Sequence, residues 1–257
     1  MRGGWIGRLL SCLLMGDGCF TAAQAREAAP PVELSVASEV WEEHSNADGS
    51  GLAWDLLRAV FEPVGVKLKI TSVPYTRALG LAQRGKVDAV LGLYLNEVEG
   101  IAYPRWPYAD DAVVALGLVG GPLPTLQNLA NYRLVWVRGY AFQSQLPSLK
   151  NYQEVQRRDG IPQMLKQGHA DFYIDDDDEV RILLAGTERP QEFLVTPLQY
   201  LPLYLGFART EHGQALQALY EQRMPQLLRA GTLRPIFARY RQHYPYDSAK
   251  EMPHARP

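Results

Sequence analysis

The run Asp175-Asp176-Asp177-Asp178-Glu179 is the densest group of ionisable side chains in the sequence. Carboxylates in such a run can bind a cation, exchange a proton, or cap the start of a helix. The spacing Asp176-x-x-Glu179 fits a capping box. The run lacks the alternating ligands and the interior glycine of a calcium loop. Asp176 is our candidate for a binding pocket, with helix capping as the alternative, and we expect its neighbours to be solvated.

Two arginines stand where a guanidinium can hold an anion. Arg77 follows Tyr75 and Thr76, and we take Thr76 as a helix N-cap, so that Tyr75 and Arg77 lie at the helix end that attracts anions. Arg138 opens a turn that leads into another predicted helix. Either guanidinium offers a bidentate fork to a carboxylate. The alternative for each is an ordinary surface arginine.

Aromatic side chains occur in the segments that join the predicted helices and strands. Trp41 lies in a polar, turn-rich segment, and Tyr94 follows an apolar run. Tyr108 and Tyr140 lie in segments rich in proline or glycine. Such rings either pack in a core or form the walls of a ligand pocket. We take all four as candidate walls, with core packing as the alternative.

One unit that occurs twice must position these groups. The stretches Leu81–Tyr94 and Met164–Asp176 each read as the end of a helix, a glycine stop, an aspartate three residues on, and an apolar strand. Helix, turn and buried strand form one unit of an α/β sheet. Two copies predict two similar lobes with a ligand cleft between them. The two aspartates, Asp88 and Asp171, are expected to hold the glycine turn by local backbone hydrogen bonds.

Composition and charge limit the function. The 257 residues are 47% hydrophobic and carry a formal net charge of −2, so no basic surface indicates a nucleic-acid partner. Residues 1–25 read as a secretory signal cleaved near Ala25, and both cysteines lie within it. We therefore expect an exported, periplasmic protein without a disulfide or a thiolate metal site. Residues 245–257 are expected to form a disordered tail.

Motifs spread over most of the mature chain resemble the family 3 extracellular solute-binding proteins, the periplasmic receptors of polar amino-acid ABC importers. Each motif is weak alone, but their order and spacing together are specific. The motifs are Gly51-Leu-Ala-Trp-Asp-Leu, Pro74-Tyr75-x-Arg77-Ala78, Gly85-Lys-Val-Asp88-Ala, Tyr103-Pro-x-x-Pro107-Tyr108, Arg138-Gly139-Tyr140, Gly168-x-x-Asp171 and Gly231-x-Leu233…Tyr240.

The resemblance implies a type II periplasmic-binding-protein fold, with two α/β lobes joined by a two-strand hinge that closes on a small molecule. Lobe 1 would comprise 31–116 plus 203–244, and lobe 2 would comprise 117–202. Val113–Leu116 and Pro202–Tyr204 would form the hinge. The protein would be a monomer without a cofactor or metal, and its partner would be an ABC permease or a membrane signalling receptor.

One departure from the family concerns the ligand carboxylate. In the amino-acid receptors of this family, an arginine that follows the strand of the first repeated unit holds the α-carboxylate of the ligand. Here no arginine lies between Gly92 and Pro104. The aspartate that takes the α-ammonium has a counterpart five residues past Asp171, at Asp176. The resemblance therefore supports the amine half of an amino-acid site. Arg77 or Arg138 would have to supply the carboxylate half.

Signs of catalysis are poor. The five histidines show no metal spacing, and neither a nucleophile elbow nor a phosphate loop is present. We expect a binding protein rather than an enzyme. The enzyme alternative is an acid-base lyase of the dehydratase type on the same fold, which would need two cleft carboxylates of separated pKa.

Overall fold

The computed structural model describes Met1, residues 31–146 and residues 149–247. The predicted signal segment lies outside these residues, apart from Met1. The described strands are β1 (Glu33–Ser38), β2 (Lys67–Ser72), β3 (Ala89–Leu93), β4 (Ile101–Ala102), β5 (Ala109–Leu118), β6 (Leu134–Val137), β7 (Tyr152–Val155), β8 (Phe172–Asp176) and β9 (Phe193–Ala208). The described α-helices are α1 (Leu52–Phe61), α2 (Tyr75–Gln83), α3 (Phe142–Gln145), α4 (Ile161–Lys166), α5 (Asp177–Ala185), α6 (Glu211–Ala230) and α7 (Arg234–Arg239).

The strands follow the order β2-β1-β3-β9-β5-β8-β6-β7, and β4 pairs with β9. The long strand β9 divides this sheet. Its residues Tyr204–Ala208 pair with β3 and β4, whereas Phe193–Leu203 pair with β5. We call β1 to β4 with Tyr204–Ala208 the first sheet section, and β5 to β8 with Phe193–Leu203 the second. Each section is built on parallel strands, as helix crossovers require.

The register of the crossing strands bears on the predicted hinge. Pro202 lies opposite Asp110, and Leu203 lies opposite Ala109. Val113–Leu116 instead pair with residues 195–199. The two predicted hinge segments are therefore not opposite each other. A hinge that bends two paired strands together would need residues that lie opposite each other in the register. The lobe boundaries and the hinge stay predictions, and the residues that pair at the level of Pro202 are 109–111 with 201–203.

The duplicated unit is present in both sections. Gly85 and Gly168 take φ values of 61° and 66° after α2 and α4, as the glycine stop predicts. The role assigned to the two aspartates was wrong, because their partners lie on the next strand. Asp88 accepts hydrogen bonds from the N–H and hydroxyl of Ser35, and Asp171 accepts one from the N–H of Arg133. In each section the aspartate thus fixes the register of two neighbouring parallel strands.

The C-terminal region is folded beyond the point that the sequence predicts. The last described helix, α7, ends at Arg239, and Arg241 adopts a left-handed φ of 56° that a helix cannot continue. The tail was predicted to begin at residue 245, yet the Tyr246 hydroxyl donates to the carbonyls of Pro107 and Tyr108 at 2.8 and 2.9 Å. Residues 245–247 therefore belong to the folded body, and the rest of the predicted tail lies outside the described residues.

Candidate functional site

A cavity lies between the two sheet sections. The first section contributes Trp41, Tyr75 and Tyr94, and the second contributes Tyr140 and the end of β8. The volume open to the centres of water molecules is about 70 Å³, room for several waters. A site enclosed by both sections fits a small solute.

Aromatic rings form one side of the cavity. The Trp41 indole N–H donates to the Tyr140 hydroxyl at 3.1 Å, which joins the two sections. The Tyr75 ring lies 5.8 Å from the Trp41 ring and 6.1 Å from the Tyr140 ring, edge-on to the latter. Gly92 lies under Trp41 with φ 83°, and a Cβ there would come within 2.6 Å of the indole. The sequence predicted Trp41, Tyr94 and Tyr140 as pocket walls and Tyr75 as a binding residue at a helix start, and all four rings line this cavity.

Tyr108 does not line the cavity. Its side chain is buried behind the wall, and its hydroxyl lies 3.0 Å from the His44 Nε2. His44, which sequence reasoning missed, does line the cavity. Burial lowers the pKa of His44 to about 4, so its imidazole is neutral at pH 7. Tyr108 is a core residue that positions this histidine.

Carboxylates form much of the rest of the cavity lining. Neither lysine nor arginine lines it among the described residues. The lining carboxylates belong to Glu42, Asp110, Asp111, Asp175, Asp176, Asp178 and Glu179.

Asp111 lies on β5 and Asp176 lies on β8, the strand that pairs with it. Asp111 accepts a hydrogen bond from the Tyr94 hydroxyl at 2.7 Å. Asp176 accepts one from the Ala112 N–H at 3.0 Å and one from the Asp178 N–H at 2.9 Å, so it both lines the cavity and caps α5. Burial and the neighbouring carboxylates raise the pKa of Asp111 to about 7 and also raise the pKa of Asp176. Both groups lack a cationic partner among the described residues.

The expectation that Asp175 is solvated was wrong. Its side chain is 2% exposed and accepts a hydrogen bond from the Arg158 Nε at 2.9 Å. Arg158 also lies 3.3 Å from a Glu179 oxygen and donates to the Tyr140 hydroxyl at 2.7 Å. Its guanidinium lies against the Tyr140 ring. Arg158 thus neutralises the inner carboxylates, and sequence reasoning missed it because nothing near residue 158 marks it.

The start of α2 does not offer an anion site. Helix α2 begins at Tyr75 after Pro74, without a side-chain cap from Thr76. The Tyr75 N–H instead donates to the Glu39 carboxylate at 3.1 Å. The protein's own carboxylate therefore occupies the helix end that was expected to hold a ligand anion. Arg77 is exposed and does not line the cavity.

Arg138 is likewise outside the cavity. Its side chain is 58% exposed, and its Nε lies 4.0 Å from Glu154. Neither arginine proposed to replace the missing carboxylate-binding group is in place to do so in this conformation.

The loop that lacks the arginine carries a buried acid. Glu97 accepts hydrogen bonds from the Tyr75 hydroxyl at 2.7 Å and from the Tyr94 N–H at 2.9 Å. Burial raises the pKa of Glu97 to about 7. This loop therefore braces two of the cavity walls and supplies no positive charge.

A second, more open cleft adjoins the cavity and shares Asp176, Asp178 and Gln242 with it. It is lined by Arg181, Arg239 and Arg241. Arg181 pairs with Asp177 and Asp178, and Arg239 pairs with Asp55. Arginine side chains therefore lie around this outer cleft, in addition to Arg158 behind the cavity wall.

No helix in the described part of the chain is both long and apolar enough to span a membrane. Within those same residues, no three or more His, Cys, Asp or Glu side chains are arranged to hold a metal ion.

No protein-family model and no curated protein sequence matches the chain. Solved structures match it over most of its length. The substrate-binding protein of an amino-acid ABC transporter has a TM-score of 0.62 at 14% identity, covering 81% of this chain and 98% of that one. A histidine kinase sensor domain with similarity to periplasmic binding proteins has a TM-score of 0.66 at 14% identity, covering 82% and 96%. The ancestral amino-acid-binding protein AncCDT-1, a precursor of cyclohexadienyl dehydratase, has a TM-score of 0.59 at 16% identity, covering 81% and 95%.

The chain therefore has the α/β fold of the periplasmic binding proteins, as the sequence predicted. Within that fold it is similar to amino-acid substrate-binding proteins and to a kinase sensor domain. At 14–16% identity the likeness is one of fold, and the function has to be argued from the cavity.

Proposed function

We propose that the protein captures a small, polar, amine-bearing solute in the cavity and releases it unchanged. The observation that carries this proposal is the composition of the cavity walls, which combine aromatic rings with carboxylates. An ammonium group is attracted by both kinds of wall. An amino-acid-like solute is the class that the sequence resemblance implies, and Asp176 would take its amine.

Binding is favoured over catalysis by the charge of the cavity. The lyase alternative has one point in its support, because burial raises the pKa of both Asp111 and Glu179 to about 7, a value suited to proton transfer. A dehydratase of the prephenate type, however, acts on acids. Carboxylates without a lining arginine or lysine repel such a substrate. The raised pKa of these acids comes first from burial and then from the neighbouring carboxylates, and a cationic ligand would offset both effects.

The partner would be a membrane protein at the outer face of the cytoplasmic membrane, either an ABC permease or a signalling receptor. A substrate-binding protein of an ABC transporter and a histidine kinase sensor domain are both similar to this chain in fold. Capture would close the two sheet sections on the solute. The Trp41–Tyr140 and Gln242–Asp178 hydrogen bonds join the sections and would break if the sections moved apart.

A thermal-shift screen against metabolite pools tests the proposal, with mass spectrometry of the pool before and after incubation. A solute at ~100 times its Kd adds about 2.7 kcal/mol of stability. We expect a compound that raises the melting temperature and is recovered unchanged. Tyr140→Phe removes the hydroxyl that joins the sections and should weaken the shift, whereas Tyr152→Phe, on the outer strand β7, should not. Consumption of the compound would support the lyase, and no shift from any pool would contradict capture.

A further inference from the structure

We propose that the solute is an organic cation without a carboxylate group, such as an alkylamine or an alkylguanidine. This inference rests on the proposed function and narrows its substrate class. It departs from the amino-acid ligand that the sequence resemblance implies.

The first argument is the balance of charge among the lining residues. Arg158 pairs with Asp175 and Glu179, His243 lies 2.7 Å from Asp110, and Arg181 pairs with Asp178. These contacts give three of the seven carboxylates an arginine partner, and they give Asp110 a histidine partner. Among the described residues, neither an arginine, a lysine nor a histidine pairs with the other three, namely Glu42, Asp111 and Asp176.

The two inner members of that group point to the ligand. Asp111 and Asp176 are held only by neutral donors, a phenol and two backbone N–H groups. Asp176 accepts from the N–H of Ala112, the residue after Asp111, so the two side chains belong to neighbouring positions on β5 and β8. Burial is the largest cause of the raised pKa of each group, and the charge of Asp111 raises the pKa of Asp176 further. Neighbouring buried carboxyl groups are stabilised either by keeping a proton or by a cation between them. Since the described residues supply none, a positively charged ligand would complete the site.

The second argument is the loss of every position that could receive a ligand carboxylate. Glu39 occupies the start of α2, and Glu97 occupies the loop where the arginine is missing. Arg158 directs its guanidinium to Asp175, Glu179 and the hydroxyls of Tyr140 and Tyr173. A ligand carboxylate in the cavity would meet carboxylates and ring faces, both of which repel it.

The aromatic side of the cavity distinguishes an organic cation from a metal ion. Trp41, Tyr75, Tyr94 and Tyr140 present four rings to the space beside the carboxylates. Rings attract a weakly hydrated ammonium or guanidinium but do not coordinate a hard metal ion. The described residues also offer no cluster arranged as metal ligands.

Matched ligand pairs that differ only in the carboxylate provide the test. We would titrate the full-length protein by calorimetry with agmatine against arginine, and with cadaverine against lysine. Each amine should bind at least about tenfold more tightly than its amino acid, the effect expected for removing one unpaired charge from a desolvated site. An amino acid that binds as tightly as its amine would overturn the proposal.

Variants locate the effect. Asp111→Asn and Asp176→Asn should each weaken the amines by roughly tenfold or more, because the amide keeps the hydrogen-bond acceptor and loses the charge. Glu188→Gln removes an exposed carboxylate outside the cavity and should change nothing. Arg241→Gln probes the outer cleft: a selective loss of arginine or lysine binding would place a ligand carboxylate there and would contradict the proposal.

The metabolite screen covers the case in which none of the four compounds binds. A binder that is a carboxylate-free cation would support the inference. A binder that carries a carboxylate would overturn it while leaving capture intact. If no pool contains a binder, capture itself fails and the inference fails with it.

Discussion

Replacing Asp111 by asparagine should stabilise the protein without ligand, and more so at high pH. Asp111 is buried beside other carboxylates, and its pKa is raised from 3.8 to about 7. A carboxyl group whose pKa is raised on folding keeps its proton to a higher pH in the folded state than in the unfolded state. Folding stability is therefore full near pH 4 and declines as the pH rises through 7.

The size of the effect follows from the pKa difference. A shift of about 3 units corresponds to about 4 kcal/mol, at 1.36 kcal/mol per unit, once Asp111 is fully ionised. This value is an upper bound, because the two neighbouring carboxyl groups of Asp111 and Asp176 titrate together. If one of them keeps its proton, the charge repulsion between them is removed. We expect Asp111→Asn to gain roughly 1–3 kcal/mol of unfolding free energy at pH 8, and less than about 1 kcal/mol at pH 4.5. The amide oxygen can still accept the Tyr94 hydroxyl.

The assay is urea unfolding of ligand-free wild type and variant at pH 4.5 and pH 8. Glu188→Gln, which removes an exposed charge, serves as the control and should show the same small difference at both values. A destabilised Asp111→Asn at pH 8, or a difference independent of pH, would refute the reasoning. Either result would mean that Asp111 is already neutralised inside the protein and does not await a cation.

Three further predictions concern ligand binding and motion. The affinity for an amine should rise between pH 5.5 and 8, by at most about tenfold per pH unit for each proton released from Asp111 or Asp176. Calorimetry in buffers of different ionisation enthalpy should detect those protons. An affinity that does not change with pH would contradict the prediction. Gly92→Ala should displace Trp41, weaken ligand binding and alter indole fluorescence, because the new Cβ would come within 2.6 Å of the Trp41 ring. Unchanged fluorescence and affinity would contradict this close approach. Small-angle scattering should show a smaller radius of gyration with a saturating ligand, and an identical profile would argue against closure.

The sequence predicts the scaffold well because its signals are local. A glycine stop followed by a buried strand is written in about a dozen consecutive residues, and both copies form as expected in Leu81–Tyr94 and Met164–Asp176. The four aromatic walls also carry local signals, since each lies next to a turn or at the end of a strand. Asp176 was found in the same way, at the junction of β8 and α5.

The electrostatics of the cavity could not be predicted, since they depend on contacts between distant segments. Asp111 meets Asp176 only through the pairing of β5 with β8, and Glu39 reaches the α2 start from 36 residues earlier. Arg158 lies in an irregular segment and finds Asp175 and Glu179 across the fold. One available signal was overlooked. Tyr173 and Asp175 are two apart on a strand and share a face, which predicts a common partner.

Three features leave the cavity without a positive charge for a ligand carboxylate. They are far apart in the sequence, but each acts against the binding of an anion. Glu39, Glu97 and the exposed Arg77 each have a simple structural explanation when considered alone, as a helix cap, a loop brace and a surface residue. A receptor that still bound an α-carboxylate would need at least one of these positions to present a positive charge to the cavity. Because none does, and because Asp111 and Asp176 add negative charge at the same site, the proposed site would select its ligand by charge. An amino acid could bind only by reaching the arginines of the outer cleft, about Arg241, and the comparison of agmatine with arginine measures that contribution directly.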